Sequence, residues 1–131
     1  MADFKTFEDL AVYQLARKFR KDIYALTRRL PKSEQFNLAS QMKRASVSLT
    51  NNIAEGHGRY HYQENIQFLR HSRGSLQELI DDLNVCQDED YFAPEYLGGL
   101  RQDAFELLKK LNGYISYLRK SKASVASNES V

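Results

Sequence analysis

Along most of this chain apolar residues recur at three- and four-residue intervals, the spacing of one face of an α-helix. Val12, Leu15, Ala16, Phe19, Ile23, Leu26 and Leu30 form a first stripe, and Leu38, Met42, Ala45, Leu49 and Ile53 a second. A third carries Ile66, Leu69, Leu76, Leu79, Ile80 and Leu83, and a fourth runs from Leu97 and Leu100 through Ala104, Leu107, Leu108, Leu111 and Ile115 to Leu118. The stripes predict helices over about 7–30, from a Ser33 cap to about Glu55, from His61 or Tyr62 to about Gln87, and from Pro94 to about Arg119. The punctuation agrees. Pro31 ends the first helix because proline disfavours helical backbone in the residue before it. Ser33, followed by Glu34, has the chemistry of an N-cap. Gly56 and Gly58 stop the second helix, and Pro94 suits a first helical turn. Gly98 and Gly99 weaken the fourth helix by about 1 kcal/mol each relative to alanine, so either it starts later or another backbone comes close there. No segment alternates like a strand. Four long helices on short connections imply an all-α, antiparallel, up-down-up-down four-helix bundle over residues 1–120. The small, polar, aperiodic stretch 121–131 is predicted to be a disordered tail.

A length of 131 residues suits one domain with a real core. Net charge is only +2, but residues 1–62 hold 11 basic against 6 acidic side chains and residues 63–131 hold 8 against 11. That asymmetry favours charge-complementary contact, or a local anionic partner, over a uniformly basic coat. Cys86 is the only cysteine, which excludes an intrachain disulfide and a cysteine-based zinc site. The first residues lack a basic-then-apolar signal pattern, and no apolar run reaches the ~18 residues of a membrane span. A soluble cytoplasmic protein with no membrane partner is expected. Up-down topology brings Arg28, Arg29 and Lys32 near Asp88, Glu89, Asp90 and Glu95 at one end, and collects Arg59, Arg119, Lys120 and Lys122 at the other.

Candidate chemistry lies on the polar faces. Tyr13, Arg17, Arg20, Lys21, Tyr24 and Arg28 fall opposite the first apolar stripe. Cations interleaved with tyrosines can neutralise phosphates and stack on unpaired bases. Tyr and Arg are equally the residues of subunit contacts, and a plain solvated face is the third reading. Ala39, Ser46, Thr50 and Ala54, with Val47 nearby, form a small-residue flank on the second helix that suits close approach, within the bundle or at a subunit seam. Arg44, Glu55 and Arg59 with Ser75 and Glu78 point to an ion-pair and hydrogen-bond network. No nucleophile sits beside a base in that group, so no catalytic site and no enzyme is expected. His57 and His61 are four apart beside Glu55 and Glu64, but the glycines place His57 in a turn and His71 lies too far along for a third ligand. No metal site, phosphate loop, dinucleotide fingerprint or cofactor is expected.

Several segments are familiar in combination: F-x-D-L-x-V-Y-Q-x-A from Phe7, L-P-x-x-E-x-F-x-L from Leu30, Q-M-K-R-A-S-V-S-L from Gln41, N-I-A-E-G-H-G-R from Asn52, and G-S-L-Q-E-L from Gly74. On these the chain resembles the four-helix-bundle, ribosomal-protein-like family encoded within intervening sequences of bacterial 23S rRNA genes. That family is related in fold to the accessory variability determinant of diversity-generating retroelements, a basic, barrel-like homopentamer that binds nucleic acid. The resemblance implies a homo-oligomeric ring of five and a non-catalytic, RNA-linked role. It places Arg44, Asn52, Glu55, Gly56, Arg59, Ser75 and Glu78 at signature positions, most of them architectural. The expected function is therefore a binding or scaffold module for structured RNA or a ribonucleoprotein. Arg17, Arg20, Lys21, Arg28, Arg59, Arg119 and Lys120 are its candidate phosphate contacts. The alternative is a protein–protein adaptor without nucleic acid, docking through the tyrosine–arginine stripe.

Overall fold

In a computed structural model, residues 6–129 are described at the backbone level and side chains up to Lys122. Four helices, α1 (Ala11–Arg28), α2 (Leu38–His57), α3 (Tyr62–Asp88) and α4 (Pro94–Glu129), run antiparallel as a four-helix bundle, and no strand occurs among the described residues. Backbone contacts join α1 to α2, α2 to α3, α3 to α4 and α4 to α1, while the diagonal pairs stay apart. The cross-section is therefore four-cornered, with each side of the bundle a groove between two neighbours. The core is built from the four stripes: Phe19, Ile23, Leu26, Met42, Leu49, Ile53, Leu69, Leu76, Leu79, Leu83, Leu97, Leu107 and Leu111 are all buried. Leu15 is the exception in the first stripe, standing 37% exposed at its edge.

The helix ends differ from the sequence expectation in instructive ways. A 3₁₀ turn, Phe7–Asp9, precedes α1 and is closed by a capping box in which the Glu8 N–H donates to Thr6 and the Thr6 N–H donates to Asp9. Leu10 is extended and separates that turn from α1. Ser33 does not cap α2. It lies inside a second 3₁₀ turn, Lys32–Glu34, and α2 starts at Leu38 behind Asn37. The side chain of Gln35 explains the intervening loop, because it donates to the carbonyls of Thr27 and Leu30 and satisfies the end of α1. α4 does begin at Pro94, and its helical backbone continues past Arg119 to Glu129. Most of the expected tail, 121–131, lies outside the residues whose side chains are described. Gly98 and Gly99 sit inside α4 with open space where a Cβ would go, so neither a late start nor a close approach accounts for them.

The end holding the α1–α2 and α3–α4 connections is not closed by ion pairs. Arg29 lies over the rings of Phe92 (5.1 Å) and Tyr96 (4.6 Å), and the Tyr91 hydroxyl donates to Glu34 at 2.7 Å. That bond draws the Glu34 carboxyl below its usual range and pushes the Tyr91 phenol up to about 12. The acids Asp88, Glu89, Asp90 and Glu95 make no ion pair with Arg28, Arg29 or Lys32; among the described residues the ion pairs are Lys18–Asp22 and Glu55–Arg59. A guanidinium stacked on two rings keeps its charge and covers apolar surface at once.

Asp82 is the electrostatic anomaly of the interior. It is only 4% exposed; one carboxylate oxygen has no partner and the other takes a long, 3.4 Å bond from Gln41. Burial first, then the nearby Glu78 and Asp81, raise its pKa to about 6. A folded-state pKa above the unfolded one means the native state holds the proton more tightly. Its contribution is full below about pH 4 and is lost as pH rises through about 6. Asp82→Asn is accordingly expected to raise stability at pH 7 by about 2–3 kcal/mol. Its advantage over the native chain should shrink as pH is lowered towards 4, which denaturant melts at several pH values check. Gly98→Ala and Gly99→Ala should each add up to about 1 kcal/mol in the same assay, as helix propensity improves without a clash.

Candidate functional site: the grooves flanking α2

Helix α2 borders two grooves of different character. Towards α3 the helices approach closely along Ser48, Asn52 and Gly56, which follow one another at four-residue steps. The Asn52 amide donates to both the carbonyl and the hydroxyl of Ser48 (2.8 and 3.0 Å), and Ser75 on α3 donates to that same hydroxyl at 2.9 Å. One turn deeper, the buried Ser72 hydroxyl donates to the Leu49 carbonyl at 2.5 Å. At Gly56 a Cβ would meet Asn65 Oδ1 at 2.7 Å and Phe68 Cβ at 2.9 Å, closer than real side chains pack. The absence of a side chain lets α3 lie against the α2 backbone. Asn52, Gly56 and Ser75 are thus seam residues, in keeping with an architectural role.

Other members of the expected network are arranged differently. Arg44 is exposed and donates to Ser40 on its own helix at 3.0 Å. It forms no ion pair with Glu78, which is exposed on α3. Glu55 and Arg59 pair with each other at 2.7 Å across one helical turn, and the Arg59 guanidinium lies 4.8 Å from the Phe68 ring centre. Arg44, Glu55 and Arg59 find their partners within one helical turn of the chain and not across the seam.

The α1–α2 side is an open groove of about 490 Å³ lined by Tyr24, Lys43, Arg44, Val47, Asn51 and neighbouring polar atoms. Tyr24 is its central ring, half-buried, with the Lys43 ammonium 6.0 Å from the ring centre. Lys21 and Arg28 lie beside Tyr24 on its α1 bank and Arg17 stands further along the same helix, all three exposed and in no ion pair among the described residues. Two members of the predicted α1 stripe have other employment. Arg20 is half-buried and donates to Thr50 at 2.8 Å, bracing α1 against the small-residue flank of α2. Tyr13 packs edge-on against Phe7 at 4.9 Å. Ser46 and Thr50 bond to carbonyls within α2, so that flank serves packing inside the bundle. Lys43 was invisible to a single-helix wheel, since only the α1–α2 register sets it opposite Tyr24. Across α1, on the α4 side, the charge reverses: Asp22, Asp103 and Glu106 line the groove there, with Lys18 tied to Asp22.

Arg119 and Lys120 are exposed at the other end of the bundle, where Lys122 hydrogen-bonds Gln63 at the start of α3. His57 and His61 stand on either side of the α2–α3 turn, and no group of three or more metal-ligating side chains gathers among the described residues. No described helix is long and apolar enough to cross a membrane.

The fold and its grooves define a small all-helical bundle with a polar α2–α3 seam and charge segregated about α1. Residues 8–113 match the family of 23S rRNA-intervening sequence proteins, and the chain belongs to that family. A solved structure from Bacteroides thetaiotaomicron, a protein with unknown function from the S23 ribosomal protein family, is similar in fold. It aligns at a TM-score of 0.75 with 22% identity, covering 80% of this chain and 98% of its own. No curated protein matches the chain.

Gly56→Ala tests the seam directly. The added methyl group must push Asn65 and Phe68 away, and overpacking of this kind costs about 1–3 kcal/mol. A fall of that size in unfolding free energy is expected, while Gly58→Ala, whose nearest atom would be 3.6 Å away, should cost less.

Proposed function

We propose that this chain is a non-enzymatic, homo-oligomeric binding module of the cytoplasm whose α1–α2 face takes the phosphate backbone of structured RNA. The observation that carries the reading is the row of cations around Tyr24. Lys21 and Arg28 come from α1 and Lys43 and Arg44 from α2, with Arg17 further along α1, and among the described residues no carboxylate is paired to any of them. Guanidinium groups match phosphate geometry, and each neutralised phosphate releases counterions, so such a row favours a polyanion. The acids on the α1–α4 side repel the same ligand and make docking one-sided. The family description, which ties these proteins to a 23S rRNA intervening sequence, supports RNA as the polyanion. Arg119 and Lys120 extend the positive surface at the far end. Arg20 and Arg59 contribute charge while holding Thr50 and Glu55.

A second reading is favoured by the same charge map. The α1–α2 face of one subunit complements the α1–α4 face of another, with Asp22, Asp103 and Glu106 as counter-charges. A heterologous contact of that kind closes into a ring when the rotation between subunits is a whole fraction of a turn, and five is the number the family resemblance implies. In that case the tyrosine–arginine groove is a subunit or adaptor contact and RNA is not its ligand.

Salt and charge reversal separate the two. Neutralising about four phosphates makes affinity fall about 50- to 150-fold between 50 and 200 mM salt. Arg17→Glu combined with Lys21→Glu should weaken binding to every RNA sequence alike. Salt-insensitive or absent RNA retention overturns the RNA reading. Light scattering of the same variant decides the rest: a drop in subunit number with no RNA effect assigns the groove to self-association.

A further inference from the structure

The α2–α3 turn places aromatic rings in water at the basic end of the bundle. Tyr60 is 93% exposed and Tyr62 41% exposed, and His61 between them meets the Tyr60 ring edge-on at 5.0 Å. The aliphatic side chains of this end, Ile53, Ile66, Ile115 and Leu118, are all buried, so the apolar surface it offers consists of ring faces. Cations surround them. Lys122 reaches Gln63 in the first turn of α3, which sets the end of α4 beside the platform, and Arg119 lies exposed one turn earlier on α4. Of the nearby acids, Glu55 is already paired with Arg59, while Glu64 in the first turn of α3 is exposed and lies in no ion pair among the described residues.

Flat rings with polar edges, with Arg119 and Lys122 on the neighbouring α4, suit nucleobases better than a protein surface. Base–aromatic stacking tolerates any sequence because every base has a π-face, and RNA recognition concentrates on unpaired loops whose bases splay out. Helix α2 links this turn to the groove of the previous section: Asn51, on the groove, is six residues from His57 at the end of α2, about 9 Å along the axis. A strand whose phosphates follow the groove reaches the turn within a few nucleotides. We propose that the α2–α3 turn is a stacking platform for unpaired bases, with Tyr60 and Tyr62 against the bases and Arg119 and Lys122 along the phosphates of a single-stranded RNA segment. The platform rests on the reading of this chain as an RNA-binding module, and its test keeps it apart from the α1–α2 groove.

The probes are a short RNA without self-complementarity and the same sequence annealed as a duplex, titrated by fluorescence anisotropy at one salt concentration against the full chain. Tyr60→Ala and Tyr62→Ala should each lower single-strand affinity by about 5- to 100-fold, the range for one lost stacked base, and leave duplex affinity unchanged. Tyr60→Phe and Tyr62→Phe keep the rings and should bind like the native chain. Reversal of Arg17 and Lys21 to Glu should weaken both RNAs. If the alanine variants bind the single strand normally while charge reversal still weakens both probes, the platform is overturned and the groove reading stands. If the alanine variants lose the single strand while reversal changes neither probe, the platform stands and the groove reading falls. Alanine variants that change oligomeric mass with RNA affinity intact assign the turn to protein contact and overturn the proposal. Circular dichroism melts of the Tyr60 variants should match the native protein, because that ring is almost wholly exposed, and Tyr62→Phe, which keeps the partly covered ring, controls for any change in stability of Tyr62→Ala.

Discussion

The close approach of α2 and α3 is the contact on which the rest of this bundle rests. Gly56 removes the one side chain that would hold the helices apart, and Asn65 and Phe68 occupy the space. The hydroxyls of Ser48, Ser72 and Ser75 and the amide of Asn52 then find partners across or along the seam. Ser72 is fully buried, and without its bond it would cost about 1–3 kcal/mol; the others are half-buried. The seam favours one register, since a shift by one turn would break the two bonds that cross it, Ser72 to Leu49 and Ser75 to Ser48. With α2 and α3 locked, α1 is positioned on α2 through Arg20 and Thr50, and α4 on α3 through Arg73–Asn112 and Arg101–Asn84.

That arrangement explains the charge pattern of the surface. One helix, α1, borders two grooves that differ in sign: Arg20, Lys21 and Arg28 line the α2 side, while Asp22 lines the α4 side beside Asp103 and Glu106. A protein of almost neutral net charge therefore presents a cationic side and an anionic side. Net charge describes solubility and long-range behaviour, whereas binding responds to the local field. The two ends differ as well. One is closed by Arg29 on aromatic rings and by Tyr91 on Glu34; the other leaves tyrosines, arginine and lysine in water.

The buried stripes were legible residue by residue because a helix repeats every 3.6 residues and one face of each must leave water. Leu15 shows the limit: it has the right spacing but lies at the stripe's edge, where no neighbour covers it. Ser33 shows another, as cap-type residues are also common in turns: it sits inside a 3₁₀ turn and caps no helix. Among candidate site residues, Arg17, Lys21 and Arg28 stand where a helical wheel puts them. Arg44 and Glu78 share a level of the bundle but not a bond, because a long side chain near its own helix's serine finds that partner first.

What the sequence determined alone was whatever local periodicity and composition encode: four amphipathic helices, their approximate limits, an antiparallel order and the family. Partnership was decided only in three dimensions. That Lys43 faces Tyr24, that Arg29 meets rings in place of carboxylates, that Gly56 admits α3 and that Asp82 is left with an unpartnered oxygen all depend on residues distant in the chain. The physical reason is range: helix formation and face selection are governed by neighbours within four positions, while hydrogen-bond satisfaction and charge pairing are settled by whatever the packed helices bring within about 3–4 Å.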